Sequence, residues 1–306
     1  MDNLKLSVLL PTRDRPLATQ KVIESIYENT TLFDEIDIYI FDNLSSLENN
    51  RMDIFQNLLK EGKIKYYSYD TSTSLSNCFG KGVAFKRWIG MMRDTHDVLA
   101  KRNPQKLESE TRYYLLIDSD MLVGPKWDQF FISAIRQIPK NELLVHYIVQ
   151  LPGGVPSGAR KRARKYNITN QFSGEQFTLW LASFGGGSGF WFMNYNMLSM
   201  LEWTHHDLAK TYNSFKKHDS TTWIKIREKI GSDDYLKYVC AIELPRGHDP
   251  LVLHLGSKIG SICNSETDST RSYAKEGSSF LRKELNFMNL SVKELFEQNK
   301  HSCKEW

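Results

Sequence analysis

Residues 113–120 read Tyr113-Tyr114-Leu115-Leu116-Ile117-Asp118-Ser119-Asp120. The unbroken apolar run predicts a buried strand over Tyr113–Ile117, and the acid-serine-acid triplet predicts where that strand stops. Residues two apart on an extended chain point the same way. Two carboxylates held side by side repel each other unless a cation lies against them. A hard divalent ion with oxygen ligands suits them, and Mg²⁺ or Mn²⁺ bound there keeps positions open for phosphate oxygens. Such an ion can offset the charge of a departing diphosphate as a Lewis acid. The plainer reading of the same triplet is a surface turn.

The flanking sequence favours the first reading. Leu6–Leu10 is a second short apolar run, ending at Pro11-Thr12-Arg13, and Pro16 then stands where a helix can begin, with Val22, Ile23, Ile26 and Tyr27 at helical spacing. Ile36–Phe41 predicts a strand ending at Asp42-Asn43. Met52, Ile54, Phe55, Leu58 and Leu59 predict a helix closed by Gly62, and Ile64–Tyr69 a strand ending at Asp70-Thr71. Gly80-Lys81-Gly82 opens a further helix through Val83, Phe85, Trp88, Ile89 and Met92, and the polar stretch 94–112 divides between more helix and an exposed insertion. Strands alternating with crossover helices give an α/β, doubly wound, mostly parallel twisted sheet. In such sheets the ligand lies beyond the carboxyl ends of the strands, and all four predicted ends are polar.

The segments Leu-Ser-Val-Leu-Leu-Pro-Thr-Arg-Asp-Arg-Pro, Ile-Phe-Asp-Asn-Leu-Ser, Gly-Lys-Gly-Val-Ala-Phe-Lys-Arg and Leu-Leu-Ile-Asp-Ser-Asp, in this order, resemble the GT-A glycosyltransferases, inverting family two above all. The resemblance covers about residues 4 to 130 and runs more loosely to 256. It implies a Rossmann-like GT-A fold and transfer of a sugar from a nucleoside diphosphate sugar, a UDP-sugar foremost, to a hydroxyl. It places Pro11, Thr12, Arg13 and Asp42 on the nucleotide, Gly80, Lys81 and Arg87 near the diphosphate or base, and a Mn²⁺ or Mg²⁺ ion on Asp118 and Asp120. The residue chemistry is compatible: Asp42 can accept from a base imide or ribose hydroxyl, and Arg13 or Lys81 can meet phosphate. Asp42 as a strand cap and Lys81 and Arg87 as solvated helix charges are the structural alternatives.

The family pattern has three further counterparts. Gly185–Gly189, with Gly187 at its centre, precedes Phe190-Trp191-Phe192, whose rings would line the acceptor side and stack on a sugar or base. Asp233-Asp234 opens a predicted helix, with Asp234 as the base that takes the acceptor proton and Asp233 beside it or as an N-cap. His254 stands where many GT-A enzymes have a third metal ligand, and Lys258 where some have a contact to the diphosphate. The His254-Leu255-Gly256-Ser257-Lys258 element also resembles retaining GT-A families, so inversion and retention both stay open.

The remainder of the chain is less regular. Strands are predicted over Glu142–Gln150 and Leu251–His254, and helices over Met197–Trp203, His206–Phe215, Trp223–Lys229, Asp233–Cys240 and Ser291–Asn299. Residues 153–165 form a predicted loop, rich in Gly and Pro, whose Arg160, Arg162 and Arg164 belong to a run of five cations in six residues. That run is either a solvated face or the seat of an anionic acceptor, which admits a hydroxymethylated DNA base flipped from its stack beside the carbohydrate or glycoconjugate acceptors. The predicted organisation is a nucleotide-sugar half at 1–125, an acceptor and catalytic half at 126–257, and a helical tail at 258–306.

Composition excludes whole classes. The chain has 306 residues, 41% hydrophobic and 25% charged, with a net charge of +4. That balance is globular, is too mild to announce a nucleic-acid binder by itself, and includes no apolar stretch long enough to span a membrane. Leu4–Leu10 reads as a strand, not a signal peptide. The four cysteines are widely spaced, against a disulfide framework or a cysteine zinc site, so a reducing cytoplasm is expected. Two rival classes fit less well. A sugar-nucleotide nucleotidyltransferase usually carries a Gly-rich loop after its first strand, and residues 11–16 hold no glycine. A non-catalytic nucleic-acid binder leaves the acidic pairs unexplained.

Overall fold

The structure, a computed structural model, describes residues 3–13, 15–43, 45, 52–70, 77–103, 110–138, 147–150, 164–181, 189–200, 239–245, 247–255 and 289–299. In β1 (Asn3–Thr12) Leu4, Leu6, Val8, Leu9 and Leu10 are all buried, so both faces of the strand are covered. A continuous apolar run is what a central parallel strand needs. Pro16 then opens α1 (Pro16–Asn29), where a preset φ and a missing N–H cost nothing. Leu17, Ala18, Val22, Ile23 and Ile26 form the inward face of that helix.

β2 (Glu35–Asn43), α2 (Met52–Lys60), β3 (Tyr66–Asp70), α3 (Asn77–Arg102) and β4 (Glu110–Ile117) complete the first half. Its strands are parallel and ordered β3-β2-β1-β4. The chain winds outward from β1 through β2 to β3, then returns to β1's other side with β4. The order therefore reverses between β1 and β4, the place where such sheets open a crevice. Register brings Thr12 opposite Asp42 and Leu9 opposite Leu116, so the polar strand ends form one rim. The helix expected to open at Gly80 begins earlier, at Asn77, and runs unbroken to Arg102. Its buried Trp88 meets Tyr114 edge-on at 6.0 Å, and Phe85 meets Trp191 at 5.7 Å.

The second half holds β5 (Met121–Val123), α4 (Trp127–Gln137), β6 (Tyr147–Gln150), β7 (Arg164–Thr169), β8 (Gln176–Leu181), β9 (Phe190–Asn194), α5 (Tyr195–Met200), β10 (Val239–Glu243), β11 (Val252–His254) and α6 (Val292–Asn299). The sheet continues from β4 as β9-β6-β10-β8-β7, so one sheet runs through both predicted halves. β9 lies antiparallel to β4, and on the face opposite α3 Trp127 sits edge-on to Phe190 and Phe192. Val239 and Cys240, expected as the end of a helix, open β10 instead, since Cys240 pairs with Leu181 in the buried sheet. The helices expected at 206–215 and 223–229 lie outside the described residues. Among those residues no helix is long and apolar enough to cross a membrane.

Two small connections fix the rim and the chain's end. β5 pairs antiparallel with β11 as a separate two-stranded ribbon. α6 opens with a capping box: the Glu294 N–H donates to Ser291 Oγ at 3.2 Å, and the Ser291 N–H donates to Glu294 Oε2 at 2.7 Å. The helix packs on α1, with Leu295 and Phe296 buried. Phe296 comes so close to Gly124 that a Cβ there would lie 2.8 Å from its Cζ and 2.7 Å from the Pro250 carbonyl oxygen. Gly124→Ala is therefore expected to lower stability by about 1–3 kcal/mol, through strain against backbone that cannot yield. Chemical denaturation of the full chain measures it.

Candidate active site

The rim between β1 and β4 is built from short-range constraints. Thr12 is buried, and its Oγ1 shares a 2.7 Å hydrogen bond with Thr19 Oγ1. The Thr19 hydroxyl and N–H both donate to the Arg15 carbonyl, at 2.6 and 2.9 Å. The first turn of α1 thus holds the Arg15 backbone, and the side chain extends to the other side of the crevice. There Arg15 Nη1 donates to Asp120 Oδ2 at 2.7 Å, with the two side chains only 7% and 2% exposed.

The aspartate pair does not sit on a strand. β4 ends at Ile117, and residues 118–120 make a turn closed by the Met121 N–H donating to the Asp118 carbonyl at 3.1 Å. Strand alternation, from which a common direction was expected, does not apply to it. The two carboxylates differ: Asp118 is half-buried, whereas Asp120 is buried in its ion pair. The Asp118 N–H donates to the Gly189 carbonyl at 2.8 Å, and a Cβ on Gly189 would lie 3.3 Å from Asp118 Oδ2. The last residue of the glycine-rich segment therefore packs directly on the acidic turn. Gly187 lies outside the described residues.

β11 is brought to the same turn. His254 pairs with Met121, and the Leu255 N–H donates to the Asp120 carbonyl at 2.8 Å. The expected late histidine is thus adjacent, by backbone, to the acidic turn from 134 residues further along the chain. Its side chain, like Lys258, lies outside the described residues. Among the described residues no three metal-binding side chains cluster. Two carboxylates fit a hard cation that fills its remaining positions with water or ligand oxygens.

Asp42 is buried and caps a turn: its Oδ1 accepts from the Ser45 hydroxyl at 2.6 Å and from the Ser45 N–H at 3.1 Å. Burial, and then the Asp42 carboxylate beside it, push the Tyr67 hydroxyl pKa well above its ordinary value. The Asp42 carboxylate thus serves as a cap at the end of β2. Pro11 is buried and Arg13 half-buried at the end of β1.

Several expected site residues fall elsewhere. Phe190 and Trp191 are 3% and 1% exposed. Their rings are core, packed on Trp127, Phe131 and Phe85, and cannot stack on an acceptor. Arg87 is exposed ten residues into α3, about 15 Å along the axis from the helix start. Arg164 is no loop residue: it opens β7, the sheet's edge strand, five strands from β4 and so roughly 24 Å away. Beside it Lys165 lies over the Trp180 ring, and the Trp180 indole N–H donates to Glu243. Gly80 and Lys81 lie in the first turns of α3. Arg160, Arg162, Asp233 and Asp234 are outside the described residues. The main residue missed from sequence was Arg15, since a lone arginine before a proline carries no local signal for a partner 105 residues away. A cavity of about 130 Å³ lined by Met92, His96, Arg112, Tyr114 and Tyr195 lies toward the opposite, N-terminal end of β4 and is separate from this rim.

No protein-family model matches the chain. A curated relative, the UDP-Gal:alpha-D-GlcNAc-diphosphoundecaprenol beta-1,3-galactosyltransferase of Escherichia coli, is 24% identical over 203 residues, covering 61% of this chain and 70% of the relative. Among solved structures, residues 1–349 of S. aureus TarS superpose with a TM-score of 0.42 at 14% identity, over 78% of this chain and 57% of that one. The mannosyltransferase PcManGT from Pyrobaculum calidifontis, solved with GDP-Man and Mn²⁺, gives 0.43 at 12% identity, over 79% and 57%. The chain thus spans little more than half the length of either structure. The curated relative is a galactosyltransferase, and the doubly wound sheet with an acidic turn at its switch point is the arrangement expected of the GT-A type.

Proposed function

We propose that the chain moves a sugar from a UDP-sugar to a hydroxyl of a carbohydrate or glycoconjugate acceptor, with a divalent cation at the acidic turn, in the manner of family two. The observation that carries this reading is the Asp118–Asp120 turn at the reversal between β1 and β4, with β11 pinned to it through the Leu255–Asp120 hydrogen bond. The uridine donor is supported by the relative's name, which specifies UDP-Gal.

In this reading Pro11, Thr12, Arg13 and Asp42 border the nucleotide and Lys258 meets the diphosphate. Asp118, Asp120 and His254 would hold Mn²⁺ or Mg²⁺, which when bound supplies a Lewis acid for the departing diphosphate. Asp234, with Asp233 beside it, takes the proton of the acceptor hydroxyl at a carboxylate oxygen during in-line attack and so inverts the anomeric centre. The proton and the sugar both leave their original oxygens, and the nucleoside diphosphate departs with the bonding pair. If the transfer retains configuration, Asp234 orients the acceptor instead, and product NMR distinguishes the two. The carbohydrate acceptor is preferred to a DNA base because Arg164 and Lys165, the described part of the basic run, lie on the far edge of the sheet.

Asp118→Asn is expected to lower donor hydrolysis and transfer at least about 100-fold, with an unchanged circular dichroism spectrum. A panel of nucleotide sugars with Mn²⁺ or Mg²⁺, read by released nucleotide, measures this, and turnover that survives a chelator would count against the cation. Gly189→Ala adds a methyl that the flexible tip of Met121 can avoid, while Asp118 Oδ2, 3.3 Å away, is crowded. Its expected signature is a kcat reduced by about 10- to 100-fold with little change in Tm, because small displacements at a reacting centre are costly.

A further inference from the structure

We propose that Arg15 is a positioning residue that makes cation binding at the acidic turn conditional on the nucleotide. The proposal rests on the reading that Asp118 and Asp120 hold the cation, and adds to it a reason for the two ligands to arrive together.

Three observations lead there. The Arg15 guanidinium lies 2.7 Å from Asp120 Oδ2, with both side chains nearly excluded from solvent. Its charge is permanent, because guanidinium does not lose its proton in proteins. Its backbone is held by the first turn of α1, through Thr19 and the proline at the helix start. The side chain therefore starts from a rigid anchor. A buried carboxylate requires such a partner, which by itself would make Arg15 purely structural. The location of this carboxylate adds the second role.

Together the two aspartates match the charge of one divalent ion. With Arg15 bound to Asp120, half of that match is already used. A divalent ion on the same carboxylate also sits within a few ångströms of a fixed positive charge, in a site where water and salt screen little. The acidic turn alone is then a weak cation site. A diphosphate brings the missing negative charge, so cation and nucleotide each increase the other's affinity, reciprocally. Free cation is held poorly, and the ion is retained only with a nucleotide that needs it.

The test is isothermal titration of the full chain with Mn²⁺, with and without saturating UDP, in wild type, Arg15→Gln and Arg15→Lys. Glutamine keeps a donor toward Asp120 and removes the charge, whereas lysine keeps the charge. Wild type is expected to bind Mn²⁺ weakly alone and at least about tenfold more tightly with UDP. Arg15→Gln should bind Mn²⁺ alone on the order of tenfold more tightly than wild type, with a correspondingly smaller gain on adding UDP. Arg15→Lys should behave like wild type. A merely structural role predicts lower Tm in both variants and no gain in Mn²⁺ affinity. Should Arg15→Gln fail to fold, wild type and Arg15→Lys decide: an affinity for Mn²⁺ independent of UDP in either overturns the proposal. An Arg15→Gln protein that folds and binds Mn²⁺ no more tightly than wild type overturns it while leaving the cation site standing. No Mn²⁺ binding to wild type even with UDP overturns both.

Discussion

The buried ion pair between Arg15 and Asp120 ties together the two sides of the crevice between β1 and β4. On one side lies the turn from β1 into α1, and on the other the turn from β4 into β5. Removing either partner would leave an uncompensated charge in the interior, a loss of about 3–5 kcal/mol in comparable buried pairs. The contact thus carries structural weight where the chemistry is expected, and the position of Asp120 is inseparable from the start of α1. The same acidic turn holds Gly189 through the Asp118 N–H and β11 through the Asp120 carbonyl. Three distant parts of the chain therefore meet at three consecutive residues.

The two halves of the sheet are built for different tasks. The first is wholly parallel, with β1 buried on both faces, and it offers a rim whose position follows from strand order. The second adds β9 antiparallel to β4 and fills the space with aromatic rings. Trp127, Phe131, Phe190 and Phe192 interlock by edge-to-face contacts on one side, and Phe85, Trp88, Tyr114 and Trp191 pack on the other. Such contacts add packing energy beyond the buried area. They give β9 a fixed position, and with it the Gly189 backbone beside Asp118. The aromatic segment after the glycines thus serves the site by supporting it from behind.

The strand–helix alternation of the first half was legible because both periods are local. Leu6–Leu10, Ile36–Phe41 and Tyr113–Ile117 are apolar runs of strand length with polar ends, and each became a parallel strand. α1 begins at the expected proline. The edges were less legible: α3 started before its glycines, and Arg164 and Lys165 joined a strand although their neighbours suggested a loop. Strand pairing with β8, which no pattern in the basic run itself announces, decides that segment.

By itself the sequence determined that a parallel sheet would present carboxylates at its rim, since alternating apolar and polar segments dictate which backbone is buried and where burial ends. Tertiary structure decided which of those groups meet. It alone set Arg15 on Asp120, His254 opposite Met121 and Gly189 against Asp118, and it sent Phe190 and Trp191 into the core. The physical reason is that periodicity specifies a face, whereas a partner across more than a hundred residues depends on how strands and helices stack, and stacking is settled by shape and burial summed over the whole fold.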